Sequence, residues 1–293
     1  MERELWSWLM RAMHDVKRST RDTAYHTHRT TTIVRVYLWA VLHDRPTYWA
    51  CDRRAWNNRT RPKVLPSQST MSRRLRSASV RQFMDRLGRR LSGRQSQWSG
   101  WLKLIDGKPL LVAPQTQDRH ARWGYGIGGH AKGYKLHVID SGKPMPERFA
   151  VYPLNVNEGR VARRMIPAIT GTGYLIGDAN YDDDRLYRAA AAVRHRFIAP
   201  HRRPHTHIDK HKRFHPDRVR AVTQLEMPLP WANHFSRHLL HVRKQIETTF
   251  GNLTSFFAGL THLPPWVRGL TRVRYFVHAK LLINAARIRN IHA

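Results

Sequence analysis

The sequence predicts an α/β fold, a mixed sheet flanked by helices and preceded by an all-helical domain. Three observations carry that reading. Apolar residues recur at helical spacing through the first hundred positions and switch to strand-like runs after Trp101. The strand candidates then come first as hairpin-like pairs and later in alternation with helical stretches, which is the pattern of a mixed sheet. At 293 residues and 41% hydrophobic, the chain can bury a sizeable core. The expected division is a helical domain over 1–98 and an α/β domain over 99–293.

In the helical part, Leu5, Trp8, Leu9 and Met13 mark one amphipathic face. Ile33 to Leu42 forms a second helical stretch and Thr47 to Trp56 a third. Arg59 to Pro66, bracketed by Pro62 and Pro66, reads as a loop. Ser67 is a good N-cap for a helix to Arg76 that carries Gln68, Ser72 and Arg73 on its polar side. Val80 to Leu91 is a further helix. Small helices joined by short turns, one of them rich in Ser, Gln and Arg, are what a helix-turn-helix reader presents to a major groove, and equally what a solvated bundle in a basic protein looks like.

Beyond Trp101, Leu102 to Ile105 leads into Asp106, and Leu110 to Ala113 follows. Tyr134 to Ile139, Arg148 to Tyr152 and Tyr174 to Ile176 are further strands. Helices are expected over Arg160 to Ile169 and Arg185 to Val193. From His195 to His241 the pattern is irregular, with His201, His205, His207, His211 and His215 set among lysines, arginines and prolines. These histidines lack an ordered metal spacing and read as a DNA-contacting loop. Val242, Ile246, Phe250, Leu253 and Phe257 then define one helical face, and a last helix runs from Leu270 to Ile288.

The charge is far from ordinary: 52 Lys and Arg against 20 Asp and Glu give a formal +32. Residues 1–100 hold 21 basic and 7 acidic side chains and residues 101–293 hold 31 and 13, so the excess is not a tail. A polyanion, nucleic acid first, is the expected partner. One cysteine, Cys51, excludes intramolecular disulfides and Cys-rich zinc sites and suits a reducing compartment. The longest apolar run, Val36 to Leu42, is too short to span a bilayer, so a soluble, cytoplasmic and nucleoid-associated chain is expected if the source is prokaryotic.

Against that background each acid is informative, because an acid facing DNA repels it unless a metal lies between. Asp106 follows Leu104-Ile105 and precedes Gly107, which reads as a strand end with a tight turn. Asp178 follows Tyr174-Leu-Ile-Gly177 just before a helix. Glu247 lies one residue past Ile246, about 100° round the helix, at the margin of its buried face. Carboxylates converging from two strand ends and a helix suit divalent metals. Taken singly, a strand-end Asp is more often a turn residue and a helical Glu a solvated one. Asp182, Asp183 and Asp184 read as caps of the helix that follows.

Leu104-Ile-Asp-Gly-Lys-Pro-Leu110, Leu175-Ile-Gly-Asp-Ala-Asn-Tyr-Asp182 and Arg243-Lys-Gln-Ile-Glu-Thr-Thr-Phe-Gly251, in this order, resemble insertion-sequence transposases of the DDE type. Lys132-Gly-Tyr-Lys-Leu-His137 is similar to that family's second strand, and Pro153-Leu-Asn-Val-Asn-Glu158 to the segment before its first helix. The likeness spans about residues 100–290. It implies an RNase H-like catalytic domain over 99–293, with Asp106, Asp178 and Glu247 as the metal-binding catalytic triad. It also implies Mg²⁺ with Mn²⁺ as substitute, duplex DNA (element ends and target) as substrate, and a homodimer on DNA. Arg243 and Glu247 match the Arg and Glu of one branch's Tyr-x2-Arg-x3-Glu-x6-Lys pattern, while Leu240 and Thr254 stand at its Tyr and Lys positions; Arg243 and Lys244 are the expected DNA contacts beside the glutamate. The interval Ala199 to Leu239 is too short for the β-rich insertion that some relatives carry. A transposase-derived DNA-binding regulator and an RNA-associated structural protein are the alternatives left open.

Overall fold

The computed structural model describes residues 2–18, 27–93, 100–126, 128–203, 213–226, 234–255, 259–260 and 262–291. Its helices are α1 (Glu2–Arg18), α2 (Thr30–Leu42), α3 (Gln68–Arg74), α4 (Ala78–Ser92), α5 (Glu158–Met165), α6 (Asp184–Ala192), α7 (Pro216–Glu226), α8 (His234–Val242), α9 (Gln245–Thr254) and α10 (Leu270–Ile291). Its strands are β1 (Leu102–Leu111), β2 (Arg122–Gly126), β3 (Gly129–Asp140), β4 (Arg148–Pro153), β5 (Gly173–Ile176) and β6 (His195–Ile198). The chain forms two compact units, residues 1–94 with 252–293, and residues 95–251.

The first unit is helical. α10 packs against α1, α2 and α4. Val273, Phe276, Val277, Leu281, Leu282 and Ile283 are buried on several of its sides, as expected of a central helix with no single apolar stripe. This is why the C-terminal helix belongs with the N-terminal helices, whereas the sequence placed residues 252–293 in the second domain. Lys280 is buried here and its ammonium lies 2.6 Å from Asp44. On α1 the buried indole is Trp6, packed edge-on against Trp39 at 4.8 Å. Trp8 turns to the flank, where the Arg11 guanidinium lies 4.7 Å over its ring. The stretch from Thr47 to Trp56, expected as one helix, is two 3₁₀ turns, because Asp52 is extended, ends the first and caps the second through Arg54 N–H. Ser67 caps α3 through Thr70 N–H, as the sequence predicts.

The second unit is built on one six-stranded sheet. β3 pairs antiparallel with β1 along one edge. Its other edge is shared, with β2 on Gly129–Gly133 and β4 on Tyr134–Ile139. β1 then pairs in parallel with β5, and β5 with β6. Four antiparallel strands followed by two parallel ones reached through α5 and α6 make an RNase H-like mixed sheet flanked by helices. Ile105, Ile139, Leu175 and Phe197 meet Val161, Met165, Leu186, Tyr187 and Ala221 in one core, so α5, α6 and α7 cover that face.

Several local readings of this unit differ from the sequence, among them the stretch from His195 to His241, expected as irregular, which holds β6, α7 and α8. Asp106-Gly107 is not a turn: β1 runs straight through it, with Asp106 opposite Val138 and Gly107 opposite His137, because the ladder to β3 is unbroken there. β2 was not legible, since Arg122-Trp-Gly-Tyr-Gly126 has two glycines and its alternate rings, Trp123 and Tyr125, face outward. Gly124 is required there, as a Cβ would lie 2.8 Å from the Leu154 carbonyl oxygen. The helical face expected from Val242 onward is broken between α8 and α9 at Arg243-Lys244, and Phe257 lies outside the described residues.

Gly173 opens β5 at φ +139, and a Cβ there would collide with the Trp101 backbone carbonyl, whose oxygen accepts the Tyr174 N–H at 2.7 Å. Gly173→Ala is expected to destabilise the fold by more than about 2 kcal/mol in urea titration. A variant as stable as the parent would show that the β1–β5 edge is not held this closely.

Candidate active site

The last parallel rung between β1 and β5 pairs Leu104 with Ile176. Two residues beyond it on each chain stand Asp106 and Asp178, at the same level. Asp106 is held in place because β1 continues on β3 after β5 has ended, leaving its β5 side without a ladder. Asp178 has left its strand; its Oδ1 accepts the Asn180 N–H at 2.8 Å and caps the 3₁₀ turn Ala179–Tyr181. The sequence anticipated convergence from two strand ends. The structure instead sets the two at one level from one strand end and one mid-strand position.

Asp106 is mostly buried. Its Oδ1 accepts the Gly107 N–H at 2.7 Å, and its Oδ2 lies 3.5 Å from Arg243 Nη1. Burial is the main cause that pushes its carboxyl up to about 6; the charges of Asp178 and then Glu158 add to it, while the Gly107 N–H and Arg243 oppose it. Like charges gathered in a half-buried place are what a divalent cation neutralises. The hard oxygen donors of Asp106 and Asp178 fit such an ion as a pair. Among the described residues, no three His, Cys, Asp or Glu side chains are disposed to hold a metal together.

Glu247 stands apart from the pair in this arrangement. On α9 the inward side is Ile246, Phe250 and Leu253, with the Thr249 hydroxyl donating to buried Asp140 Oδ2 at 2.5 Å. Glu247 is about 200° round the helix from Thr249, and it is exposed. It is not among the charges that bear on Asp106. The residue that the α8–α9 break delivers to Asp106 is Arg243, one helical turn earlier.

Of the expected DNA contacts, Lys244 is exposed at the same break, and Gln68, Ser72 and Arg73 are exposed on α3 in the other unit. Of the histidine cluster, His205, His207 and His211 lie outside the described residues. His215 is held by the Asp184 carboxylate through its backbone N–H. Asp183 caps α6 as expected, whereas Asp182 is buried and takes both Arg218 nitrogens at 2.8 and 2.9 Å. Sequence reasoning did not single out Glu158, Lys135 or Tyr181 as site residues, though all three lie in segments quoted for the family likeness. The sequence pattern placed the start of that helix at Arg160, which left Glu158 outside it, whereas α5 begins at Glu158 itself.

An RNase H-like sheet with two level aspartates at the edge of its parallel half defines the class of protein. The sequence profile of the family described as Transposase DDE domain matches residues 98–265, and the chain belongs to that family. A search of curated proteins gave no match. Among solved structures, the cryo-EM structure of a piggyBac transposase synaptic complex with hairpin DNA is similar at a TM-score of 0.44 and 10% identity, over 99% of this chain and 73% of that one.

The raised Asp106 carboxyl has a consequence for stability. A group whose folded pKa lies above its unfolded value favours the fold below the unfolded value and loses that contribution as pH rises through the folded one, here between about 4 and 6. Asp106→Asn is therefore expected to raise metal-free stability at pH 8 by about 2 kcal/mol and to change it little at pH 4. Melting in chelator at the two pH values checks this, and an equal shift at both would contradict it.

Proposed function

We propose that this chain is a DNA transposase that cleaves the ends of a mobile element and joins them to target DNA by metal-dependent phosphoryl transfer. The observation that carries the reading is the level pair Asp106 and Asp178, mutually charged and half-buried, in a strongly basic chain of the transposase DDE family. The two aspartates would hold the metal, and the Gly107 N–H fixes the Asp106 carboxylate in direction. Bound Mg²⁺, or Mn²⁺ in its place, supplies Lewis-acid activation of a water or 3′-hydroxyl and of the leaving oxygen. Glu247 is the third catalytic carboxylate. It joins the pair when the α8–α9 break rearranges on DNA and Arg243 exchanges Asp106 for a phosphate. Two element ends must be brought together, so the working form is a homodimer on DNA. The helices of residues 1–94, with Gln68, Ser72 and Arg73 outward on α3, read the element ends.

A second reading is favoured by one observation, the exposure of Glu247 away from the acid pair. In it the chain is a catalytically silent transposase-derived DNA-binding regulator. Purified protein with element-end duplexes in Mg²⁺ or Mn²⁺ separates the two, since the regulator binds without ever cutting.

Under the transposase reading, Asp178→Asn is expected to lower strand cleavage by roughly three orders of magnitude or more while duplex binding is kept. Retained cleavage would remove Asp178 from the mechanism. Arg73→Ala is expected to weaken end binding by about 1–3 kcal/mol, measured by gel shift at fixed salt. An unchanged footprint would exclude α3 from recognition.

A further inference from the structure

On the α5 side of the same sheet, close to Asp106, four polar groups are left unused by the function above. Gly107 has no side chain, and the space it leaves is bounded by Lys135 and Glu158: a Cβ there would sit 3.0 Å from Lys135 Cδ and 3.5 Å from Glu158 Oε1. Lys135 Nζ and Glu158 Oε1 are 2.5 Å apart, and both side chains are largely buried. Glu158, at the first position of α5, is thereby fixed over Gly107, the residue that follows Asp106.

Two buried side chains nearby have polar atoms without a partner. Tyr181 has no exposed surface, yet its hydroxyl makes no hydrogen bond. Burial first, and then the charges of Glu158, Asp106 and Asp178, hold that hydroxyl in its protonated form against the opposing charge of Arg243, so the acidic side chains are its charged neighbours. His137, opposite Gly107 in the ladder, is 1% exposed and has both ring nitrogens unpaired. A buried hydroxyl left unpaired destabilises the fold. A fold tolerates that where a ligand or a rearranged neighbour completes the bond.

We propose that Glu158 is a positioning residue of the Asp106–Asp178 site, held in place by Lys135 and completed by the Tyr181 hydroxyl, and that it strengthens the hold of this site on a divalent cation. The inference rests on the acid-pair reading above. It sets a carboxylate from α5 beside the acid pair without making it a third metal ligand, whereas the expected third acid comes from α9. A purely structural role, in which Glu158 only offsets the α5 dipole and pairs with Lys135, would leave cation binding unchanged.

The test is Mn²⁺ affinity of the full-length chain without DNA, followed by calorimetry and by the paramagnetic signal of free Mn²⁺, with melting temperature as the control for folding. Glu158→Gln is expected to weaken Mn²⁺ binding roughly ten-fold, as loss of outer partners does at metal sites. Glu158→Asp should recover most of it. Because Glu158→Gln leaves Lys135 buried without its counter-ion, Glu158→Gln with Lys135→Met is the second variant, expected to fold and to show the same weakening. Tyr181→Phe removes only the unpaired hydroxyl, and is expected to melt no lower than the parent while binding Mn²⁺ several-fold more weakly. If folded Glu158 variants and Tyr181→Phe bind Mn²⁺ like the parent while Asp178→Asn does not, the inference is overturned and the acid pair stands. If Asp106→Asn and Asp178→Asn also bind like the parent, the acid-pair reading fails and this inference with it.

Discussion

The brevity of the parallel ladder between β1 and β5 governs the second unit. It lasts three rungs and stops at Leu104 and Ile176, while β1 goes on for seven more residues against β3. A strand that keeps one neighbour and loses the other is still rigid, but it has an open edge. Asp106 stands at that edge with its backbone fixed, and Asp178 comes to the same level because the chain leaves β5 there. A longer β5 would bury the edge under another strand. A shorter one would let the two acids drift out of register.

The distribution of acids follows from the same economy of negative charge. In a chain of +32, buried carboxylates need a reason, and most have a private partner. Asp118 accepts the Tyr134 hydroxyl at 2.7 Å, Asp140 the Thr249 hydroxyl, and Asp182 the fork of Arg218. Asp106 is different. Its cationic neighbour, Arg243, is 3.5 Å away and a quarter exposed, a looser arrangement than the fork on Asp182. An acid guarded loosely by a mobile-length side chain can change partners, whereas one locked in a bidentate pair cannot.

Much of this was legible in the sequence. The strands of β1, β3, β4 and β5 and the helices α1, α2 and α4 announce themselves by period, and Ser67 and Asp183 by capping chemistry. Asp106 and Asp178 were singled out because each follows an apolar run. What could not be read was set by partners distant in the chain. Gly107 looks like a turn until β3 is seen to pair through it. Arg122–Gly126 looks like a loop until the Leu154 backbone is seen to need Gly124. The side of α9 that carries Glu247 depends on which residue Asp140, more than a hundred positions earlier, takes as its hydrogen-bond donor. Glu158 lies in a segment of the family likeness but is marked as a neighbour of Asp106 only once Lys135 and the space above Gly107 are seen to hold it.

The pinning of the segment after β6 has a consequence for how this domain can vary. Arg202 N–H is held by Asp182 Oδ2 on one side of the histidine-rich stretch, and on the other Arg218 grips the same carboxylate while His215 N–H meets Asp184. The chain therefore departs and returns at one acidic anchor, a few residues past Asp178. With both ends clamped, the closure entropy of whatever lies between grows only as the logarithm of its length. Material of almost any size could be inserted there, or removed, while the strand ends that aim the two aspartates stay put. Such a hem in the fabric lets the domain be let out or taken in without recutting its working edge.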